Sequence, residues 1–143
     1  MGKIIGYTDG TFDLFHIGHL NVLKEAKRHC DELIVGVHSD DLVKSYKSNA
    51  PIINENDRAE IIRNLSFVDK VVINKTRDKL ELLNLYGFNL MIIGDDWKGT
   101  DRWNKFEKML NERGVNVLYI PYTKSISTTM IKNKILDMYR KDD

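Results

Sequence analysis

Residues 3–19 read Lys3-Ile4-Ile5-Gly6-Tyr7-Thr8-Asp9-Gly10-Thr11-Phe12-Asp13-Leu14-Phe15-His16-Ile17-Gly18-His19. The apolar residues Ile4, Ile5 and Tyr7 predict a strand over Lys3–Thr8, and Gly10 permits a tight turn after it. Beyond the turn, Ile17, Leu20, Leu23, Ala26 and Cys30 recur at three- and four-residue spacing, which predicts a helix from Ile17 to His29. Leu33, Ile34, Val35 and Val37 then form the continuous apolar run of a buried parallel strand over Glu32–Val37.

The same alternation continues to the end. A polar stretch from Ser39 to Asn56, with Lys44, Lys47 and Pro51, reads as a long loop, and long loops in compact domains are more often functional than idle. Helices follow over Glu55–Leu65, Lys79–Tyr86 (closed by Gly87), Asp101–Arg113 (Gly114 at its left-handed cap) and Ser127–Arg140, where Ser127 or Thr128 serves as N-cap. Strands fall at Lys70–Ile73, Leu90–Ile93 and Val115–Ile120. Pro51 and Pro121 lie between these segments and break none of them. Strand–helix alternation predicts an α/β fold: a doubly wound, Rossmann-like parallel five-stranded sheet with helices on both faces. One domain over residues 1–143 is the expected organisation.

Composition narrows the class. The chain holds 22 Lys+Arg against 21 Asp+Glu, a net charge of +1. That balance argues against a broad nucleic-acid or polybasic membrane binder, which needs excess cations. No run approaches the roughly 20 apolar residues of a membrane span, and no signal-peptide pattern opens the chain, so a soluble cytoplasmic protein is expected. The single cysteine, Cys30, excludes an internal disulfide and reads as a buried filler.

In doubly wound sheets, ligands bind beyond the carboxyl ends of the strands. After the first strand, His16 and His19 stand three apart at a helix N-terminus, where free N–H groups and the dipole favour an anion. Gly18 keeps the backbone approachable. A metal reading lacks the further ligands at recognisable spacing; His29 and His38 are expected in structural roles. After the fourth strand comes Gly94-Asp95-Asp96-Trp97, and at the last helix Ile126-Ser127-Thr128-Thr129. Taken singly, Asp95-Asp96 reads equally as a cap, Ser127-Thr128-Thr129 as any helix start, and Lys47 as a solvated lysine. Trp103 is expected in the core.

The segment from Gly10 to His19 resembles the signature of the nucleotidyltransferases that share a His-x-Gly-His motif. With the two later motifs, the chain resembles the cytidylyltransferase branch, nearest glycerol-3-phosphate cytidylyltransferases and more distantly the choline- and ethanolamine-phosphate enzymes. The resemblance implies transfer of CMP from CTP to an alcohol phosphate by direct in-line attack, releasing pyrophosphate. Its CDP-alcohol product would be of the CDP-glycerol kind that feeds cell-wall or capsule polysaccharide. It implies catalytic roles for His16, His19 and Lys47 (Lys44 second to it). Nucleotide contacts would come from Gly10, Thr11, Phe12, Asp13, Gly18, Asp95, Asp96, Thr123, Ser127 and Thr128. Mg²⁺ would enter with CTP, with Asp13 steadying the loop or helping to place the metal. A homodimer is implied as well, with Phe67-Val68-Asp69 and the Ser39–Asn49 loop as contacts.

Two positions depart from the family pattern. Arginines expected near the phosphates are Ser66 and Tyr122 here, and a glycine is Ser125; serine and tyrosine cannot offer arginine's bidentate fork. Arg63, one helical turn before Ser66, and Lys124 are the expected substitutes. Arg63, Trp97 and Tyr122 are the expected acceptor contacts, and Trp97, Tyr122 and Tyr86 leave a cation–π cage for choline open. Two other functions stay open at this point: adenylyl transfer by the same machinery, and a nucleotide-binding domain without activity.

Overall fold

The computed structural model describes residues 2–140. Five strands, β1 (Ile5–Gly10), β2 (Glu32–His38), β3 (Lys70–Asn74), β4 (Leu90–Gly94) and β5 (Asn116–Ile120), form one all-parallel sheet in the order β3-β2-β1-β4-β5. Six α-helices accompany them: α1 (Ile17–Arg28), α2 (Asp40–Tyr46), α3 (Glu55–Arg63), α4 (Lys79–Tyr86), α5 (Asp101–Asn111) and α6 (Thr128–Arg140). One helical turn of 3₁₀ type covers Asp95–Trp97. The expected α/β architecture is therefore the observed one.

Alternating side chains divide the core into two layers. Leu33, Val35 and Val37 of β2 pack with Leu23 and Ala26 of α1 and Ala59 and Ile62 of α3. Ile34 of the same strand points the other way, into a cluster with Tyr7, Leu82 of α4, and Trp103 and Leu110 of α5. Trp103 is a core residue, as expected. Cys30 is half-buried against the first layer, its sulfur beside Gly6.

The sheet order reverses at β1. Its neighbours β2 and β4 lead away to opposite edges, so the crevice at the carboxyl end of β1 is where a ligand enters such a fold. Two local differences matter there. Strand β1 runs two residues later than the local pattern suggests, because pairing Gly10 with Val37 extends it to the signature loop. The stretch expected as a loop contains helix α2, capped by Ser39, whose Oγ accepts from Leu42 N at 3.1 Å. With seven residues and Val43 its one buried side chain, α2 carries too little periodicity to be read locally.

Candidate active site

Gly10 ends β1, and the following loop is held in an uncommon shape. Phe12 and Leu14 take φ of 55° and 52°, the left-handed region that side chains adopt at a cost of about 1–3 kcal/mol. Asp13, between them, explains how the loop stays there. Its buried carboxylate accepts from Ile52 N at 2.8 Å and Ile53 N at 3.0 Å, and its carbonyl accepts from Thr128 Oγ1 at 2.9 Å. Burial disfavours the charged form, but those two N–H groups, with Lys132 and Arg58 nearby, outweigh it and hold the carboxyl below its usual range. One residue, through its carboxylate and its carbonyl, thus joins the loop, the segment before α3, and the start of α6.

His16 and His19 open α1 as a reciprocal cap. His16 Nδ1 accepts from Gly18 N at 3.0 Å, and His19 Nδ1 accepts from His16 N at 3.3 Å. The rings stack with centroids 3.7 Å apart. A Cβ on Gly18 would lie 2.9 Å from His16 Cε1 and 3.0 Å from Ile126 Cγ2, so glycine is needed for this packing. Burial lowers the pKa of His16; burial and then the facing imidazole lower that of His19 to about 4 against the pull of Asp13. Both rings are therefore neutral near pH 7. Because each Nδ1 is an acceptor, each neutral ring carries its proton on Nε2. Among the described residues, His16 Nε2 is buried with no hydrogen-bond partner.

Two cavities of about 470 Å³ each meet at this point. Asp9, Gly10, Thr11, Phe12, Lys47, Asp96 and Trp97 line both. The first chamber adds Asp13, His19, Thr128, Thr129 and Lys132, the last three from α6. The second adds His38, Tyr46, Arg77, Lys79 and Arg102 among its walls.

Most of the expected site residues converge here. Others do not. Ser127 caps α6, accepting from Met130 N at 3.1 Å, and Thr123 Oγ1 accepts from Asn21 Nδ2 at 3.0 Å, so both position α6 without lining either chamber. Asp95 opens the 3₁₀ turn and lines neither chamber; nor does Lys44. Arg63 is turned to solvent and pairs with Glu60 at 2.6 Å, and Tyr122 is 44% exposed and away from both chambers. Helix α3 ends at Arg63, so Ser66 lies beyond it and the two share no helical turn, and Arg63 lines neither chamber. Tyr86 stacks on Tyr7 in the core, 6.0 Å between centroids, which leaves Trp97 alone of the three aromatics considered for a choline cage.

Several residues on the walls or directly behind them were not singled out from the sequence. Arg58 is fully buried and donates to Thr11 O (2.7 Å), His38 O (2.8 Å), Ile53 O (2.8 Å) and Asp40 Oδ1 (2.6 Å). Asp9 accepts from Tyr7 OH at 3.0 Å and from Lys79 Nζ at 2.9 Å, with His38 Nε2 3.7 Å away. Burial opposes its ionisation, yet Lys79 and His38 hold it ionised, well below the carboxylate range. Lys79 and Arg77 could have been found: they follow β3, and the residues after strand ends are where such folds bind.

The cytidylyltransferase-like family profile matches residues 7–134, and the chain belongs to that family of nucleotidyltransferase enzymes. It is 36% identical over 141 residues to the glycerol-3-phosphate cytidylyltransferase of Bacillus spizizenii, covering 96% of this chain and all of that one. It is 35% identical over 136 residues to the bifunctional protein HldE of Hyphomonas neptunium, covering 91% of this chain and 26% of that protein. The chain thus spans about a quarter of the length of HldE. A solved lipopolysaccharide core biosynthesis protein from Thermoplasma volcanium superimposes with a TM-score of 0.72 at 28% identity, over 86% of this chain and 98% of that one. Among the described residues no helix is long and apolar enough to cross a membrane.

Proposed function

We propose that this chain transfers CMP from CTP to a small alcohol phosphate, glycerol phosphate foremost, releasing pyrophosphate. The observation that carries the reading is the neutral His16–His19 stack at the α1 N-terminus, which sets His19 on the wall of the chamber that the α6 N-terminus also borders, with His16 buried behind it. Helix N-termini with neutral donors suit a triphosphate without a fixed cation at every oxygen. The full-length similarity to the Bacillus enzyme supports CTP and glycerol phosphate.

The first chamber would hold the triphosphate, with Thr128, Thr129 and Lys132 at its outer phosphates. An oxygen of the acceptor phosphate attacks the α-phosphorus; the bond from that phosphorus to the β-phosphate oxygen breaks, and pyrophosphate leaves. The Nε2–H groups of His16 and His19 donate to oxygens that gain charge in the transition state, the kind of preorganised donation that dominates such catalysis. Lys47, on the wall common to both chambers, neutralises the approach of two anions.

Mg²⁺ is proposed as a companion of the nucleotide. Among the described residues no group of three or more His, Cys, Asp or Glu forms a metal cage, and both oxygens of Asp13 are engaged by backbone N–H groups. The ion would be carried by the phosphates of the nucleotide.

Pyrophosphate release measured with CTP and with ATP against a panel of phospho-alcohols tests donor, acceptor and activity together. CTP turnover that falls at least about 10²-fold in His19→Ala, in the range typical for loss of one transition-state donor, is the expected result. Preference for ATP would reassign the donor, and wild-type-like activity of His19→Ala would refute the role of the stack.

A further inference from the structure

The second chamber has a charge pattern that the histidine stack does not explain. Its walls carry four cations, Lys47, Arg77, Lys79 and Arg102, against two carboxylates, Asp9 and Asp96. Asp9 and Lys79 neutralise each other, both side chains less than 10% exposed. Among the described residues, no ion pair engages Arg77 or Arg102. The chamber therefore holds an excess of two positive charges, the complement of one phosphate monoester dianion.

The arginines are also held in place. The Arg77 guanidinium lies 3.9 Å from the centroid of the Tyr46 ring, and the Tyr46 hydroxyl contacts His38 Nδ1 at 2.7 Å and Thr11 Oγ1 at 3.2 Å. The phenol is thus a platform between the signature loop and Arg77. Arg102 packs against Phe106 at 5.4 Å. Burial, and then the charge of Arg77, make Arg102 somewhat less basic than usual, which places the two guanidinium groups within each other's field. Two like charges kept close on an open wall, each without a carboxylate, are costly unless an anion joins them.

We propose that Arg77 and Arg102 form the acceptor's phosphate-binding subsite, and that the Asp9–Lys79 pair makes the chamber selective against acceptors with a cationic head group. This rests on the CMP-transfer reading above, which leaves the second chamber to the acceptor. Arginine's planar fork suits a phosphate dianion. An aminoalcohol phosphate would bring an ammonium group into a chamber whose one buried carboxylate is already engaged. These two arginines, supplied by the loop after β3 and by α5, do the work that the family pattern gives to the positions of Ser66 and Tyr122.

The test combines binding and kinetics on wild type, Arg77→Gln and Arg102→Gln, with thermal melting to show that each is folded. Glycerol 3-phosphate, inorganic phosphate and phosphoethanolamine are titrated by calorimetry, and KM is measured separately for CTP and glycerol 3-phosphate. Loss of a charge-assisted hydrogen bond predicts at least about tenfold weaker glycerol 3-phosphate and inorganic phosphate binding in each variant. The acceptor KM rises in parallel while the CTP KM stays within about twofold. Wild type binds phosphoethanolamine at least about tenfold more weakly than glycerol 3-phosphate, and the gap narrows in the variants. The proposal is overturned by unchanged acceptor binding, by an equal rise in the CTP KM, by equal wild-type affinity for the two phospho-alcohols, or by no saturable binding of any probe. Absence of turnover with any nucleotide would sink the CMP-transfer reading alone; the calorimetry would still decide the subsite.

Discussion

Replacing Arg58 by Met removes the one side chain that ties four segments of the site together. Its guanidinium donates to carbonyls of the signature loop, the end of β2 and the segment before α3, and to the Asp40 carboxylate. Counting each bond at about 1.5–3 kcal/mol gives roughly 6–12 kcal/mol, comparable with the whole stability of roughly 7–20 kcal/mol expected for a chain of this length. Such sums are not additive. The relevant figure is the cost of breaking a buried charged network by removing one member, about 3–5 kcal/mol. Asp40, 29% exposed, can return to water; the three carbonyls lose their donor. An unfolding entropy of about 2.1 cal/mol/K per residue makes each kcal/mol worth about 3 °C here, so Arg58→Met should lower Tm by about 10–15 °C. Arg58→Lys, with one ammonium in place of a fork, should fall between. Calorimetric melting with urea titration checks both, and a loss below about 1 kcal/mol for Arg58→Met would refute the reasoning.

Gly18→Ala places a methyl against His16 and Ile126; it should destabilise by about 1–3 kcal/mol through overpacking, despite alanine's better helix propensity, and lower kcat more than it raises the CTP KM. Asp9→Asn strands Lys79 as a buried charge and should cost about 3–5 kcal/mol, while Asp9→Asn with Lys79→Met should recover at least half of that; urea unfolding of both variants decides it. The histidine stack predicts a pH effect of definite sign. Both folded pKa values lie below the unfolded value of about 6.5, so the unfolded chain binds more protons at mildly acidic pH. The stability from the neutral stack is complete above about pH 6.5 and is lost as pH falls towards about 4, the value for His19. Urea unfolding free energies between pH 7 and 4.5 should decline more steeply for wild type than for His19→Asn; identical slopes would count against the neutral stack.

The residues around the His16–His19 pair were legible because their chemistry is local. A strand, a glycine turn and two histidines at a helix start name their own positions, and so do the cap of α4 at Gly87 and the start of α6. Lys47 taken by itself reads as a solvated lysine and was singled out only by the family resemblance; α2 within its polar stretch sets it on the wall of both chambers. Arg63 shows the limit. Helical spacing predicts it level with Ser66, but α3 ends at Arg63, and the packing of Ala59 and Ile62 turns Arg63 outward.

By itself the sequence determined the alternation of strands and helices, hence the doubly wound class, and the placement of an anion-binding histidine pair after β1. Both follow from interactions between residues a few positions apart. The tertiary structure alone decided which distant side chains share a wall: Arg58 behind Thr11, Asp9 against Lys79, and Arg77 with Arg102 beside Tyr46. Those pairs are separated by 47, 70, 25 and up to 56 positions in the chain. No local pattern encodes them, because they meet only after parallel pairing of β1 with β2, of β2 with β3 and of β1 with β4 brings the strand ends, and the segments that leave them, to one edge of the sheet.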